Sequence, residues 1–477
     1  MLKYHIVTLG CQMNKSDGER VQTVIEGMGY RWTDKEEEAG LLGILACSVR
    51  QKSIDKVYSR IRKWNAWKKS NNLLTFVSGC ILPADRTKFL KLFDFIFPVS
   101  EIFQLPDMIS QYGIVTPHQQ ITAKATLPVG KSAGFSDIHL DAKRGKVVQP
   151  LFVKPEEHIH DFWTIRPSYN SSCEAYIPIQ NGCDKFCTYC AVPYTRGREV
   201  SRSSAEILNE LKELVKKGYK SVTLLGQNVN SYGLDKHGHE ITFPQLLKEI
   251  GEFGQNSGKR FWVYFTSPHP CDMSDEVFDV IATYPCLAKQ IHLPLQSGDD
   301  DVLKKMNRKH TVEDYMKIIA SIRKFLPDAT IFTDIIVGFT GENEEQFEHS
   351  RQIMEIVKYN MAYVAIYSPR PGAVSAKWED DVPMDVKKQR LHKLNEELIK
   401  HTKEYNRRLI GRKISILVTG TDRKGGFLSG YTEGRIVARF ASTDRSLIGS
   451  YAEIEVASAS PYAIEGELVL KPEFPVR

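Results

Sequence analysis

Three cysteines each stand just past a short apolar run, and together they constrain the chain more than any other feature. Tyr4-His-Ile-Val-Thr-Leu-Gly10 leads into Cys11, Leu41-Leu-Gly-Ile-Leu-Ala46 into Cys47, and Leu74-Thr-Phe-Val-Ser-Gly79 into Cys80. Runs of this kind, β-branched and apolar and bounded by glycine, predict buried strands, and the segments between them predict helices. The order is βαβαβ. Parallel strands joined by crossover helices bring their carboxyl ends side by side, which is where open α/β sheets place their ligands. Cysteines 36 and 33 residues apart in sequence are thereby expected to converge on one point.

A second set is local. Cys183, Cys187 and Cys190 form a Cys-x3-Cys-x2-Cys run that offers three thiolates within eight residues. A cubane iron-sulfur cluster takes four ligands, so three sulfurs leave one iron open. A structural zinc ion would need a fourth donor, and Cys173, ten residues upstream, is the candidate for it. Nine cysteines, an odd number, suit sulfur and metal chemistry in a reducing compartment better than a disulfide framework. Six fall in the two triads; Cys173, Cys271 and Cys286 are expected to be packing residues.

The ordered series Thr8-Leu-Gly-Cys-Gln-Met-Asn14, Ala46-Cys-Ser-Val-Arg50, Ser78-Gly-Cys80 and Cys183-Asp-Lys-Phe-Cys-Thr-Tyr-Cys-Ala-Val-Pro-Tyr-Thr-Arg-Gly197 resembles the radical S-adenosylmethionine (SAM) methylthiotransferases over nearly the whole chain. The resemblance implies two 4Fe-4S clusters, one on Cys183, Cys187 and Cys190 that binds SAM and cleaves it, the other on Cys11, Cys47 and Cys80 that carries the transferred sulfur. Its closest form implies methylthiolation at C2 of isopentenyladenosine in the anticodon loop of transfer RNA. Threonylcarbamoyladenosine in transfer RNA or an aspartate of a ribosomal protein are the alternatives within the family. A zinc-containing RNA-binding protein without turnover is the alternative outside it. An electron-donor protein is a further implied partner.

After Cys190 strand and helix signals alternate. Val222 to Leu225, Trp262 to Phe265, Gln290 to Leu293, Ile331 to Val337 and Tyr363 to Tyr367 read as strands, with helices between them. Such alternation predicts a parallel sheet wrapped by helices, and the resemblance implies a partial (β/α)6 barrel with its functional groups after the carboxyl ends of the strands. On that basis Gly226, Gln227, Asn228, Ser267, Gln296, Asp334 and Gly338 are the expected SAM-contacting residues. His269 and His292 are expected to be hydrogen-bonded structural histidines. From Gly411 to about Lys471, period-two alternation between glycine-rich turns predicts a small antiparallel β-barrel, and the segment resembles the TRAM domain, an RNA-binding module. The expected domains are therefore 1–112, an auxiliary-cluster domain; 113–168, a linker with an insertion; 169–408, the radical SAM domain; and 411–474, the TRAM-like domain.

The net charge of +6 is modest for 477 residues, but it is concentrated. Arg50 to Lys69 carries eight Lys or Arg against Asp55 alone, and Asp385 to Lys413 carries ten against four acids. Clustered basic charge attracts phosphates through counterion release, although such runs are as often solvated helix faces. No apolar stretch approaches the twenty residues of a membrane span, and the amino terminus has no export signal; a cytoplasmic monomer is expected. Two departures from the family pattern stand out. Phe339-Thr-Gly-Glu-Asn343 replaces Phe-Pro-Gly-Glu-Thr, and Leu45-Ala-Cys47 replaces Asn-Thr-Cys.

Overall fold

The computed structural model describes residues 2–49, 51–110, 139–141, 146–148 and 158–470. Arg50, most of the expected insertion and the last residues of the chain lie outside them. The amino-terminal sheet has five parallel strands in the order Arg31–Trp32, Lys3–Thr8, Leu41–Cys47, Leu74–Cys80 and Phe95–Ile96. Helices Gln12–Gly27 and Gln51–Trp67 make the crossovers. Every residue of Leu41–Cys47 is buried, as expected of a central parallel strand covered on both faces, whose sequence is continuously rather than alternately apolar. Ile159, Phe162 and Trp163, from the helix Ile159–Thr164 that precedes the second domain, pack into this first core.

Six parallel strands form the central domain, in two three-stranded sheets. Glu174–Pro178, Ser221–Leu225 and Trp262–Phe265 pair in one; Gln290–His292, Thr330–Val337 and Met361–Ile366 pair in the other. Helices between successive strands pack one large apolar core around them. Glu174–Pro178 is a sixth strand that periodicity does not reveal, because Pro178 closes it after five residues. The chain is mixed α/β, as the sequence predicts.

The carboxyl-terminal domain is a closed barrel of five strands, Lys413–Thr421, Phe427–Thr432, Val437–Ala441, Ile464–Leu470 and Tyr451–Ala459 in spatial order. One pairing, Val437–Ala441 with Ile464–Leu470, is parallel; the others are antiparallel. The strand Phe427–Thr432 escapes sequence reading because Ser429 and Gly430 interrupt its apolar alternation. Gly434 to Ile436, just before the strand Val437–Ala441, forms a turn that enters the floor of the central barrel. There Arg435, at φ +59°, donates to Glu174, Ser221 and Thr223 at 3.2–3.4 Å, and its guanidinium lies 3.9 Å and 4.0 Å from the ring centres of Tyr264 and Tyr431. Tyr431 donates to the same Glu174 carboxylate at 2.6 Å. These partners sit at the amino-terminal ends of the barrel strands, so the terminal domain closes the end opposite the cysteines. Replacing Arg435 with methionine removes several hydrogen bonds and two cation–π contacts, an expected loss of about 1–3 kcal/mol at this interface. Faster tryptic cleavage between Arg407 and Arg412, in a protein with unchanged circular dichroism, is the outcome that reports it.

Candidate functional site

The first triad forms as the strand order requires. Cys47 and Cys80 are register partners on adjacent parallel strands, and such strands lie about 4.8 Å apart. Cys11 follows the neighbouring strand Lys3–Thr8 and stands at the N-cap position of helix Gln12–Gly27. Gly10, at φ +117°, lies so close to Cys47 that a Cβ there would sit 2.7 Å from the Cys47 Cβ, so only glycine brings Cys11 against its neighbours. Burial pushes the Cys80 thiol up to about 12, with Cys47 and Cys11 adding in the same direction and the Arg196 guanidinium opposing them. The three sulfurs thus share one field.

Asn14 and Arg196 complete this site, and the sequence reading assigned neither. Asn14 donates to the carbonyls of Leu9 and Ala46 at 2.8 Å and 2.7 Å, joining two of the cysteine strands. Arg196, 5% exposed, comes from the second domain and donates from Nε to Cys80 Sγ at 3.0 Å. Its other nitrogens reach Asn14 Oδ1 at 3.0 Å, Asp17 Oδ2 at 2.5 Å and Asn181 Oδ1 at 3.2 Å. A signal for them existed. Asn14 and Asp17 follow Cys11 at helical spacing of three, which puts a polar stripe on a face the fold buries, and Arg196 lies six residues past Cys190. The Leu45-Ala46 departure removes two polar side chains, yet the Ala46 carbonyl still serves Asn14.

The second triad occupies the loop after Glu174–Pro178, at the carboxyl end of the barrel. Cys190 N donates to Cys187 O at 2.9 Å and Val192 N to Cys190 Sγ at 3.5 Å; Arg308 approaches Cys187 Sγ at 3.6 Å. Gly182, at φ +80°, passes so close to the backbone of the returning chain that a Cβ would lie 1.9 Å from Arg198 O. Burial raises both Cys183 and Cys190 to about 12, so iron would displace protons from these thiols on binding. Cys173 lies at the other end of the strand, against the terminal barrel at Gly449. Five residues of strand, roughly 16 Å, separate it from Cys183, so it is no fourth ligand.

The expected SAM-contacting residues lie around this mouth, in several different capacities. Gln227 accepts from Gly182 N at 2.5 Å and so braces the cysteine loop. Gly226 is buried where a side chain would meet Gln180 and Val229. Asn228 donates to Asp272 at 2.8 Å. Ser267 and Gln296 both hold left-handed backbones, at φ +61° and +73°, and the Gln296 backbone bridges to Asp334 and Ile336; non-glycine residues in that region are uncommon and concentrate at ligand sites. Asp334 pairs with His292 at 2.8 Å. Gly338 donates to Glu342 at 2.8 Å, and Arg390 holds the same carboxylate. In the departing Phe339 to Asn343 segment, Asn343 caps the next helix by accepting from Gln346 N at 2.9 Å, so the loop keeps a defined end. His269 is hydrogen-bonded as expected on one side, its backbone pairing with the Asn230 amide and its Nδ1 accepting from Cys271 N, while its Nε2 has no protein partner. Cys286 is buried as expected, whereas Cys271 is exposed. It lies beside His269 and Asp272, with donor atoms within 4.8 Å of one another, but the carboxylate is already held by Lys185 and Asn228.

Several buried polar atoms around the mouth have no protein partner: Gln180 Oε1, Asn228 Oδ1, His269 Nε2, Arg308 Nε and both His310 ring nitrogens. Buried polar groups are normally satisfied. This set fits a polar ligand such as SAM above the second triad, and each triad fits a cluster that needs three thiolates.

Comparison with known proteins agrees with this geometry. The Radical SAM superfamily matches residues 177–353 and Uncharacterized protein family UPF0004 matches residues 3–98. Curated relatives named tRNA-2-methylthio-N(6)-dimethylallyladenosine synthase include that of Thermoanaerobacter pseudethanolicus, 37% identical over 98% of this chain and 93% of its own, that of Oceanobacillus iheyensis, 36% identical over 98% and 84%, and that of Sodalis glossinidius, 35% identical over 98% and 92%. Among solved structures, the radical SAM methyltransferase TsrM of Kitasatospora setae shares the fold, with a TM-score of 0.54 at 13% identity over 97% of this chain and 84% of that one. The site is therefore that of a radical SAM enzyme, and the chain belongs to the radical SAM methylthiotransferase family.

Substituting Gly182 with alanine forces the cysteine loop off the Arg198 carbonyl. The expected outcome is loss of about half the iron of the reconstituted protein, with the first cluster kept, since the two triads lie in separate domains; iron and sulfide analysis checks it.

Proposed function

We propose that this protein transfers a methylthio group to C2 of N6-dimethylallyladenosine in the anticodon loop of transfer RNA. One observation carries the reading: the chain matches curated synthases of that name over 98% of its length, and each of its first two domains offers a cysteine triad at the carboxyl end of its parallel strands. Cys11, Cys47 and Cys80 hold the auxiliary cluster, and Cys183, Cys187 and Cys190 hold the SAM-binding cluster. Bound there, two 4Fe-4S clusters and SAM supply the electron, sulfur and methyl chemistry. Positioning is the protein's share. Gln227 fixes the loop at Gly182, Arg308 supports Cys187, and the unpartnered polar atoms of the mouth orient SAM, with Ser267, Gln296, Asp334 and Gly338 shaping its walls. Above the mouth, Arg370 donates to Gln51 at 2.7 Å, and the first domain covers the barrel and excludes water.

The substrate base must reach this interface unstacked, which suits a splayed anticodon loop. Its phosphates have a candidate path on the opposite end. A cleft of about 810 Å³ between the terminal barrel, the helix Met384–Arg407 and the barrel floor is lined by Arg260, Lys289, Arg323, Arg408, Arg412 and Lys413. Lys289, Arg412 and Lys413 are exposed there, and among the described residues their charged groups make no ion pair or hydrogen bond, Lys289 donating to Glu433 only from its backbone N. No helix among those residues is long and apolar enough to cross a membrane. A cytoplasmic monomer reduced by an electron-donor protein completes the proposal.

Cys187→Ala is expected to abolish cleavage of SAM to 5′-deoxyadenosine. Cys47→Ala is expected to keep that cleavage while methylthiolated nucleoside disappears and iron falls by one cluster's worth; nucleoside mass spectrometry with iron analysis separates the two, and product from Cys47→Ala would sink the auxiliary role. Neutralising Lys289, Arg412 and Lys413 to glutamine is expected to weaken transfer RNA binding and to lower the slope of log affinity against log salt by about 0.7 to 0.9 per lost contact, leaving RNA-independent SAM cleavage untouched. An unchanged slope would move the RNA path to the helix Gln51–Trp67.

A further inference from the structure

Arg196 belongs by sequence to the SAM-cluster segment and by contact to the other cluster's site. The five-residue helix Val192–Arg196 starts two residues after Cys190, and its last side chain crosses the domain interface to Cys80. We propose that Arg196 is the positioning residue that couples the two cluster sites: it sets the electronic environment of the auxiliary cluster through its hydrogen bond to Cys80 Sγ, and it fixes the distance between the clusters. The inference rests on the assignment of an auxiliary cluster to Cys11, Cys47 and Cys80.

Three observations carry it. Arg196 is 5% exposed, and its guanidinium donates to Cys80, Asn14, Asp17 and Asn181. Asp17 is 1% exposed and balances its charge, so the pair is insulated from solvent screening. Asn181 Nδ2 donates back to the Arg196 carbonyl at 2.9 Å, which clamps the arginine at both its backbone and its head. A side chain locked this way has one orientation to offer. An N–H donor on a cluster thiolate stabilises the more electron-rich, reduced state and raises the reduction potential.

The two ionic partners give variants with opposite signs. Asp17→Asn removes a negative charge and keeps the donor, so the auxiliary cluster is expected to move to more positive potential. The double variant Asp17→Asn/Arg196→Met leaves net site charge unchanged, avoids an unpaired buried charge and removes the donor, so a shift to more negative potential is expected. Potentials are measured on full-length reconstituted protein carrying Cys187→Ala, which leaves the auxiliary cluster as the one observed. In the background with both clusters, the double variant is expected to produce at least tenfold more 5′-deoxyadenosine per methylthiolated product, because SAM cleavage continues while transfer is misaligned. Arg196→Lys, which keeps the charge but not the fork, is expected to fall between. Retained iron with an unmoved potential and unmoved product ratio in the double variant would overturn the inference and leave Arg196 as a plain interdomain pin. Iron content that does not fall in Cys47→Ala would instead overturn the auxiliary-cluster assignment on which it rests.

Discussion

The helix Gln12–Gly27 is the element on which the arrangement of this enzyme depends, because it buries charge on the face that meets the barrel. Asp17, Glu19 and Arg20 are 5% exposed or less. Arg20 lies 3.7 Å from Glu210 of the helix Ser204–Lys216, Asn170 N donates to Glu19 at 3.1 Å, and Arg196 reaches Asp17. Buried ion pairs contribute little net stability but are strongly directional, since removing one partner leaves a costly charge behind. An apolar interface of the same area would tolerate sliding; this one has a single register. That register sets the strand ends carrying Cys11, Cys47 and Cys80 beside Arg196, which closes the segment that follows the second triad.

The other end of the barrel is closed by similar means. Arg435 enters the floor between Tyr264 and Tyr431 and is held by Glu174, and Arg260 packs 4.2 Å over Tyr451 while donating to Ser415 at 2.7 Å. Trp262, Tyr264, Leu417 and Tyr431 form a small apolar cluster between the two domains. The terminal barrel is thus part of a rigid floor, and the basic cleft beside it keeps a fixed relation to the mouth. Charge that lies in a fixed place can set the register of an RNA whose base is read elsewhere.

Fixed charge also explains why the basic runs looked more uniform in sequence than they are in three dimensions. In the helix Met384–Arg407, Lys387 is fully buried and pairs with Asp380, and Arg390 is buried against Glu342; both brace the loop of Gly338. In the helix Gln51–Trp67, Trp64 is core, and Arg60 and Lys63 pair with Glu36. Lys68, just past it, bridges to Asp94 at 2.5 Å. A run of like charge in sequence is distributed around a helix at 100° per residue, so some of it faces inward, and only contacts distant in sequence decide which.

What the sequence determined by itself was local or periodic. Apolar runs placed Leu41–Cys47 and Leu74–Cys80 as buried parallel strands, the rule that parallel strands end together placed their cysteines side by side, and Cys-x3-Cys-x2-Cys specified a loop with three sulfurs. What tertiary structure alone decided was pairing across long separations. Arg196 meets Cys80 across 116 residues, Glu174 meets Tyr431 across 257, and Cys173 is removed from the metal site by the direction of one short strand. Strands such as Glu174–Pro178 and Phe427–Thr432 exist because their neighbours complete their backbone hydrogen bonds, and a pairing of that kind leaves no period in the residues that accept it.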